Sequence, residues 1–247
     1  MRPAQPNQSL IDGLACLQVL AAHDTPLGSR ELGRMLGLEP TRVNRLLKTL
    51  AYVGMAQQDD SRKYLPGPGI HVLAAQSLHG SGLLRRAVGP LNSLLPLGHM
   101  VAFGVLWRTR VCYLYFADQR RTAAEIFGSE AAFPASESGL GLALLADHSE
   151  AEVRALYENA ADAELNGDTP DLDGRNGLLA QVRRARRRGY GLTLGYGTPL
   201  VRTVAVTVGD PPVAAIGLSG TLTDDEIPGL VDQLRRTADQ ISVVDQV

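Results

Sequence analysis

Residues 29–54 read SRELGRMLGLEPTRVNRLLKTLAYVG, two runs of helical apolar spacing separated by only a few residues around Gly37-Leu38-Glu39-Pro40. In the first run Leu32, Met35 and Leu36 fall at i, i+3 and i+4. Ser29 is the expected N-cap, and Gly37 stops the helix. In the second, from about Thr41 to Val53, the residues Val43, Leu46, Leu47 and Leu50 share one sector of a helical wheel and are expected to face a core. Two short helices with so tight a turn between them form a helix-turn-helix.

The flanks complete a known arrangement. Residues 9–22 carry two apolar rows at helical spacing, Leu10, Leu14, Leu17, Ala21 and Ile11, Ala15, Val19, with Ser9 as the expected cap. After Gly54, MAQQ and YLPG flank the polar tip DDSRK, the layout of a β-hairpin wing. Three helices and a hairpin make a winged helix over 9–67, behind a flexible tail at 1–8. PGPG at 66–69 is the expected boundary, followed by a helical linker over 68–97 that HGSG interrupts and Gly89-Pro90 should kink.

The second helix of the pair divides by chemistry. Opposite its apolar sector lie Thr41, Arg45, Lys48 and Tyr52, flanked by Arg42 and Thr49, with Asn44 at the margin. Arg and Lys suit phosphate and guanine, and Asn suits adenine. The expected base-reading face is therefore Thr41, Arg42, Asn44, Arg45, Lys48 and Thr49. Ser29, Arg30 and the wing residues Arg62 and Lys63 are the expected phosphate contacts. A solvated surface helix is the competing explanation for the charges alone; the preceding capped helix and the following basic hairpin favour DNA. Net charge is only −2, so a basic patch at 27–50 stands out locally: five basic residues against Glu31 and Glu39.

From residue 98 the pattern changes to strands alternating with helices, an α+β domain. VAFGVLW and VCYLYFA form a hairpin around RTR; VRTVAVTV and VAAIGLSG form another around GDPP. Helices are expected at 139–146, 149–160 and 176–190, and in the amphipathic tail. For the run RRARRR at 183–188 a nucleic-acid contact competes with a solvated face, which is favoured because its cations sit at a helix C-terminus. Gly191, Gly195 and Gly197 lack the G-K-S/T of a phosphate loop.

Several functions find no support. Cys16 and Cys112 have no metal-ligand spacing and read as small apolar residues in a reducing cytoplasm. Five scattered histidines show no paired spacing, and nothing asks for a metal or cofactor. No apolar stretch reaches membrane-spanning length and no signal h-region opens the chain, so the expectation is a cytoplasmic protein without a membrane partner. No catalytic motif such as G-x-S-x-G is present.

The segment from QSLIDGLACLQVLAAH through ELGRMLGL and RLLKTL resembles the DNA-binding domain of the IclR family of bacterial transcription regulators. In that family a Q-S-L helix, an E-L-A/G-R/K-x-L-G-L helix and an R-L-L-x-T-L recognition helix occur in this order. The second half is similar to its GAF-like effector domain: PASESGLGLALLA at 134–146, RRRGYG, and VAAIGLSG ending in S-G. The resemblance implies a regulator, not an enzyme, that binds an operator in double-stranded DNA as a homodimer or homotetramer. It also implies an antiparallel-sheet C-terminal domain at 98–247 holding a small-molecule effector. The effector would contact Ser138, Gly139 and Leu140 at the start of a helix, Arg202 on the penultimate strand, and Gly217 and Ser219 on the last. Arg202 suggests an anionic metabolite, with an edge-strand ion pair as its alternative. Two rivals remain: a methyltransferase-like enzyme dimerising through its winged helix, and a ligand-independent DNA-binding module.

Overall fold

The computed structural model describes residues 5–118, 132–158, 170–194 and 201–242. The first four residues of the expected tail, the last two of the helix expected at 149–160, and Gly195 and Gly197 lie outside them. The chain divides into two compact units, Met1–Ser81 and Gly82–Val247.

In the N-terminal unit, helix α1 spans Gln8–Ala21. Its cap is Asn7 and not Ser9: the Asn7 side chain accepts the Leu10 N–H at 3.1 Å, and Ser9 already lies in the first turn. Its buried face is Asp12, Gly13, Cys16, Val19 and Leu20, sharing only Val19 with the two expected rows, while Leu10, Ile11 and Leu14 are exposed. Periodicity finds apolar stripes, but packing against α2 and α3 selects the one that faces inward. Burial, with the Asp12 carboxylate beside it, pushes the Cys16 thiol up to about 11, so it stays protonated.

Helix α2 spans Ser29–Leu36 and α3 spans Pro40–Tyr52. The α2 cap is Gly28 instead of Ser29; the Glu31 carboxylate reaches back to the Gly28 N–H at 3.5 Å. Gly37 ends α2 with φ 63°, a left-handed turn. Pro40 opens α3, where its missing N–H has no helical partner to lose. Strands β1 (Ala56–Gln58) and β2 (Tyr64–Pro66) pair antiparallel as the wing. Leu27 and Tyr64 exchange backbone hydrogen bonds at 2.8 Å, tying the α1–α2 turn to the wing. Helix α4 (Pro68–Ser81) buries none of its residues.

The C-terminal unit is a six-stranded sheet between two helical layers. Its strands are β3 (Met100–Trp107), β4 (Arg110–Ala117), β5 (Ala132–Pro134), β6 (Gly191–Leu194), β7 (Arg202–Val208) and β8 (Ala214–Gly220). The order is β5-β4-β3-β8-β7-β6, with every pair antiparallel. The two edge strands β5 and β6 were not anticipated: three and four residues are too few to show alternation. The glycine stretch at 191 thus begins in a strand.

Helices α5 (Leu83–Asn92) and α9 (Ile227–Ser242) cover one face, and α6 (Gly139–Leu145) the other, backed by α8 (Leu178–Arg188). Helix α7 (Glu150–Tyr157) adds Val153 to that second layer. Helix α5 continues through Gly89-Pro90 and ends two residues later, with Pro90 offering no N–H to the Arg86 carbonyl one turn back.

The central strands sort their side chains by size. Val204, Val206, Val208, Ile216 and Leu218 face α5 and α9, while Ala205 and Ala215, with Ala102 of β3, face α6. Small residues on that face let α6 sit close to the sheet, and all seven of its residues are buried. The closest approach is at Gly191 of β6, where a Cβ would lie 2.1 Å from the Gly139 carbonyl oxygen; one on Gly141 would lie 2.2 Å from that of Ala135, just after β5.

Two outcomes test this packing. Gly141→Ala should destabilise the C-terminal unit by about 1–3 kcal/mol or more, read as a lowered second transition in calorimetry with the winged-helix transition unmoved. At the start of α7, Ser149 N–H and Oγ donate to the Glu152 carboxylate at 2.8 and 2.7 Å, holding its pKa below the ordinary value. That contribution is complete above the unfolded Glu pKa and is lost as pH falls through the lowered folded one. Glu152→Gln should therefore be less stable than the parent at neutral pH, and urea melts of the two should converge well below about pH 4.3.

Candidate nucleic-acid interface and effector site

The roll of α3 is set by Val43 and Leu47, both at 0% exposure, with Leu46 and Leu50 partly buried beside them. Thr41, Arg45, Lys48 and Thr49 are exposed on the other side, Asn44 is intermediate, and Tyr52 stands 90% exposed at the end. These side chains line one open groove, which Ser9 of α1 and Glu39 join. Among the described residues, neither Arg45 nor Lys48 is in an ion pair. The Thr49 hydroxyl donates to the Arg45 carbonyl at 3.0 Å, so its oxygen keeps acceptor capacity. Arg42 differs: its Nη2 lies 2.5 Å from Oδ2 of Asp12 on α1.

At the front of α2, Arg30 is exposed and Ser29 half-buried. The wing tip is shaped by Asp59, whose carboxylate accepts from Ser61 Oγ and from the Lys63 N–H, both at 2.8 Å. Those two hydrogen bonds hold the Asp59 carboxyl below its ordinary pKa. Arg62 follows at φ 62°, a left-handed conformation uncommon outside glycine, with Gln58 Nε2 donating to its carbonyl at 3.1 Å. Arg62 and Lys63 are both exposed.

In the C-terminal unit the expected effector residues divide. Ser138 caps α6, its Oγ accepting the Gly141 N–H at 3.3 Å, so one donor of the helix start is occupied from within. The same Oγ lies 3.2 Å from the Tyr113 hydroxyl. Burial pushes the Tyr113 phenol up, while the Ser138 bond partly opposes it. Ser219 Oγ accepts from Thr203 Oγ1 at 3.0 Å across β8 and β7. Thr203 also touches α6, since a Cβ on Gly139 would fall 2.9 Å from its methyl group. Two hydroxyl pairs, Tyr113–Ser138 and Thr203–Ser219, therefore flank the start of α6.

Gly139, Leu140 and Gly217 form the contact between α6 and the sheet. Leu140 is 1% exposed, and a Cβ on Gly217 would meet its Cδ1 at 2.6 Å. Arg202 does not join them. Side chains alternate along β7, so Arg202 shares a face with Val204, Val206 and Val208 beneath α9, opposite Ser138 and Ser219. Its Nη1 donates to the Leu222 carbonyl at 3.1 Å and lies 2.7 Å from Asp224 Oδ1. The anion clamp expected of Arg202 is replaced by this internal ion pair. Tyr113 and Thr203, which the sequence reading passed over, stand where Arg202 was expected; strand parity counted from Ala205 would have found Thr203.

The arginine run of α8 is partly engaged. Arg183 Nη1 lies 3.0 Å from Glu150, and Arg186 donates to the Ala146 carbonyl at 2.9 Å and to that of His148. Those bonds satisfy the carbonyl end of α6, a structural use for a helix-terminal cation.

Comparison with known proteins agrees with both halves. A family model described as the IclR helix-turn-helix domain matches residues 9–60, and one described as the bacterial transcriptional regulator IclR C-terminal matches residues 75–243. The HTH-type transcriptional regulator BhcR of Paracoccus denitrificans is 27% identical over 90% of this chain and 82% of its own. The crystal structure of an IclR family transcriptional regulator from Brucella abortus superposes with TM-score 0.79 at 25% identity, covering 98% of this chain and 94% of that one. A Microbacterium hydrocarbonoxydans IclR homologue, solved in complex with 4-hydroxybenzoate, shares the fold with TM-score 0.65 at 18% identity, covering 95% and 98%.

The reassignment of Arg202 has a measurable consequence. Arg202→Met should lower the stability of the C-terminal unit by about 1.5–3 kcal/mol through the lost charge-assisted bond to the Leu222 carbonyl. Asp224 is 89% exposed, so Asp224→Asn should change stability by no more than about 1 kcal/mol. Equal losses in the two variants would show that the ion pair, and not the carbonyl contact, holds Arg202.

Proposed function

The chain belongs to the IclR family of bacterial transcriptional regulators, and from that membership we propose that it binds an operator in double-stranded DNA through the outer face of α3 and the wing. The observation that carries this reading is the division of α3. Val43 and Leu47 of its apolar stripe are wholly buried and Leu46 and Leu50 partly so, while Arg45 and Lys48 on the opposite side have no ion-pair partner among the described residues. Cations left without an internal partner on a helix that follows a tight turn suit the phosphates and base edges of a groove. In this reading Thr41, Asn44, Arg45, Lys48 and Thr49 face the major groove. Ser29, Arg30, Arg62 and Lys63 grip the backbone, and Arg42 lies at the groove's inner edge.

A small molecule bound beside the two hydroxyl pairs at the start of α6 controls DNA occupancy. Tyr113, Ser138, Thr203 and Ser219 offer donors and acceptors without a fixed charge, which suits a ligand carrying hydroxyl or carboxyl oxygens. The 4-hydroxybenzoate held by the Microbacterium homologue has that chemistry and is the first ligand to try. Gly139, Leu140 and Gly217 support this site by fixing α6 on the sheet. The protein acts as a homodimer or homotetramer. Supporting this, Val72 and Leu73 of α4 and Leu10 and Leu14 of α1 are each more than half exposed, an apolar display that a second copy would cover. No described helix is long and apolar enough to cross a membrane.

Arg45→Ala should weaken binding to a duplex selected from a random pool by about 1–3 kcal/mol, with thermal stability within about 0.5 kcal/mol of the parent. Replacing both Arg62 and Lys63 by Ala should reduce the slope of log affinity against log salt by roughly 1.8, about 0.9 for each phosphate contact removed. A salt slope equal to the parent's removes the wing from the interface.

A further inference from the structure

Asp12 is a carboxylate in the buried face of α1, its side chain 5% exposed. Desolvating an ionised carboxylate is unfavourable unless it is paired and hydrogen-bonded. Gln8 Nε2, one turn earlier, donates to Oδ1 at 2.7 Å, and Arg42 Nη2 lies 2.5 Å from Oδ2 as an ion pair that completes no hydrogen bond at that oxygen. Arg42 is the third residue of α3, and its side chain remains 36% exposed in the groove that Thr41, Asn44 and Arg45 also line. One guanidinium nitrogen is thus tied to the interior of the unit while the rest of the fork stays open to the outside.

We propose that Asp12 is a positioning residue for DNA recognition: through the buried pair it fixes the Arg42 guanidinium at the front of α3, so that Arg42 meets its DNA partner in one geometry. The proposal rests on the reading of α3 as the DNA-facing helix. Apolar contacts hold α1 and α3 together, with Cys16 and Leu20 on one helix and Val43 and Leu47 on the other all buried, but such contacts are non-directional. The charge pair adds direction at the end of α3 that reaches the bases. Arginine has five donors in a rigid fork, so anchoring one nitrogen by charge beside Asp12 restricts where the remaining ones can reach. Without Asp12 the same cation is a mobile charge that attracts any phosphate. Ordering Arg42 before binding raises discrimination, because the side-chain entropy is already lost in the free protein.

The consequence separates specific from non-specific binding. Asp12→Asn keeps the shape and the Gln8 contact but removes one negative charge. Affinity of the full-length protein for an unselected random duplex should stay level or rise, while affinity for a duplex selected by the parent protein should fall. The ratio of the two should drop roughly ten-fold, the scale of one lost oriented Arg contact. Because the ratio compares two probes on the same folded molecules, partial unfolding of a variant cancels from it. Arg42→Gln should lower the ratio similarly, and the double variant Asp12→Asn/Arg42→Gln should be no worse than Arg42→Gln alone, since Asp12 acts through Arg42.

An unchanged ratio in Asp12→Asn overturns the proposal, as do equal losses on both duplexes or losses that multiply in the double variant. Arg45→Ala, measured alongside, separates the two levels of the argument. If it too leaves the selected duplex bound, the DNA-facing reading of α3 falls and takes the role of Asp12 with it. If Arg45→Ala loses binding while Asp12→Asn keeps the ratio, the positioning role alone is wrong.

Discussion

Burial of Val43 and Leu47 determines what the N-terminal unit can present. A helix held by two fully enclosed residues one turn apart has little rotational freedom left, so its remaining residues are shown in a fixed order around the cylinder. Thr41, Arg45 and Lys48 are exposed because of where the stripe lies, before any consideration of DNA. The tight turn through Gly37 and Pro40 limits the second degree of freedom, the angle at which α3 leaves α2. Pairing of Leu27 with Tyr64 then secures the wing to the turn preceding α2. Polar chemistry is added to an arrangement already set by apolar packing.

The C-terminal unit obeys the same constraint with a period of two. Large β-branched and leucine side chains point to α9, and alanine and glycine point to α6. The difference in size sets different separations on the two faces: an amphipathic helix rides over a thick apolar layer on one, and a short buried helix touches the sheet backbone on the other. Hydroxyl groups collect on the side of the close layer, at the start of α6. Arg202 lies on the other side of the same sheet for the same reason.

Elements with strong local signals were legible in the sequence. The three N-terminal helices, the wing and both long hairpins follow from periodicity and from Gly and Pro punctuation. The caps of α1 and α2 were misjudged by one or two residues because neighbouring Asn, Ser and Gly are all able to cap, and only the path of the chain decides. The inward row of α1 was misjudged because it contains Asp12, a residue that hydropathy assigns to water. Its partner lies thirty positions away, and no local pattern announces a pair at that separation. For Arg202, held open between an anion clamp and an ion pair, the parity with Val204 and Val206 in RTVAVTV points to the ion-pair side of the sheet, while family likeness bears on the strand and not on its sides.

The left-handed backbone at Arg62 bears on how this protein would change under selection. Glycine or asparagine adopts φ near 62° with less strain than arginine, so the wing tip sits uphill on the landscape of local stability. A population propagated for thermal robustness alone would drift away from Arg62 early, toward residues that relax the turn. With the wing gripping phosphates as proposed, one propagated for promoter occupancy would hold it in place against that gradient. The position therefore records which of the two pressures a lineage has felt, and a library randomised there separates folding from DNA binding in a single codon.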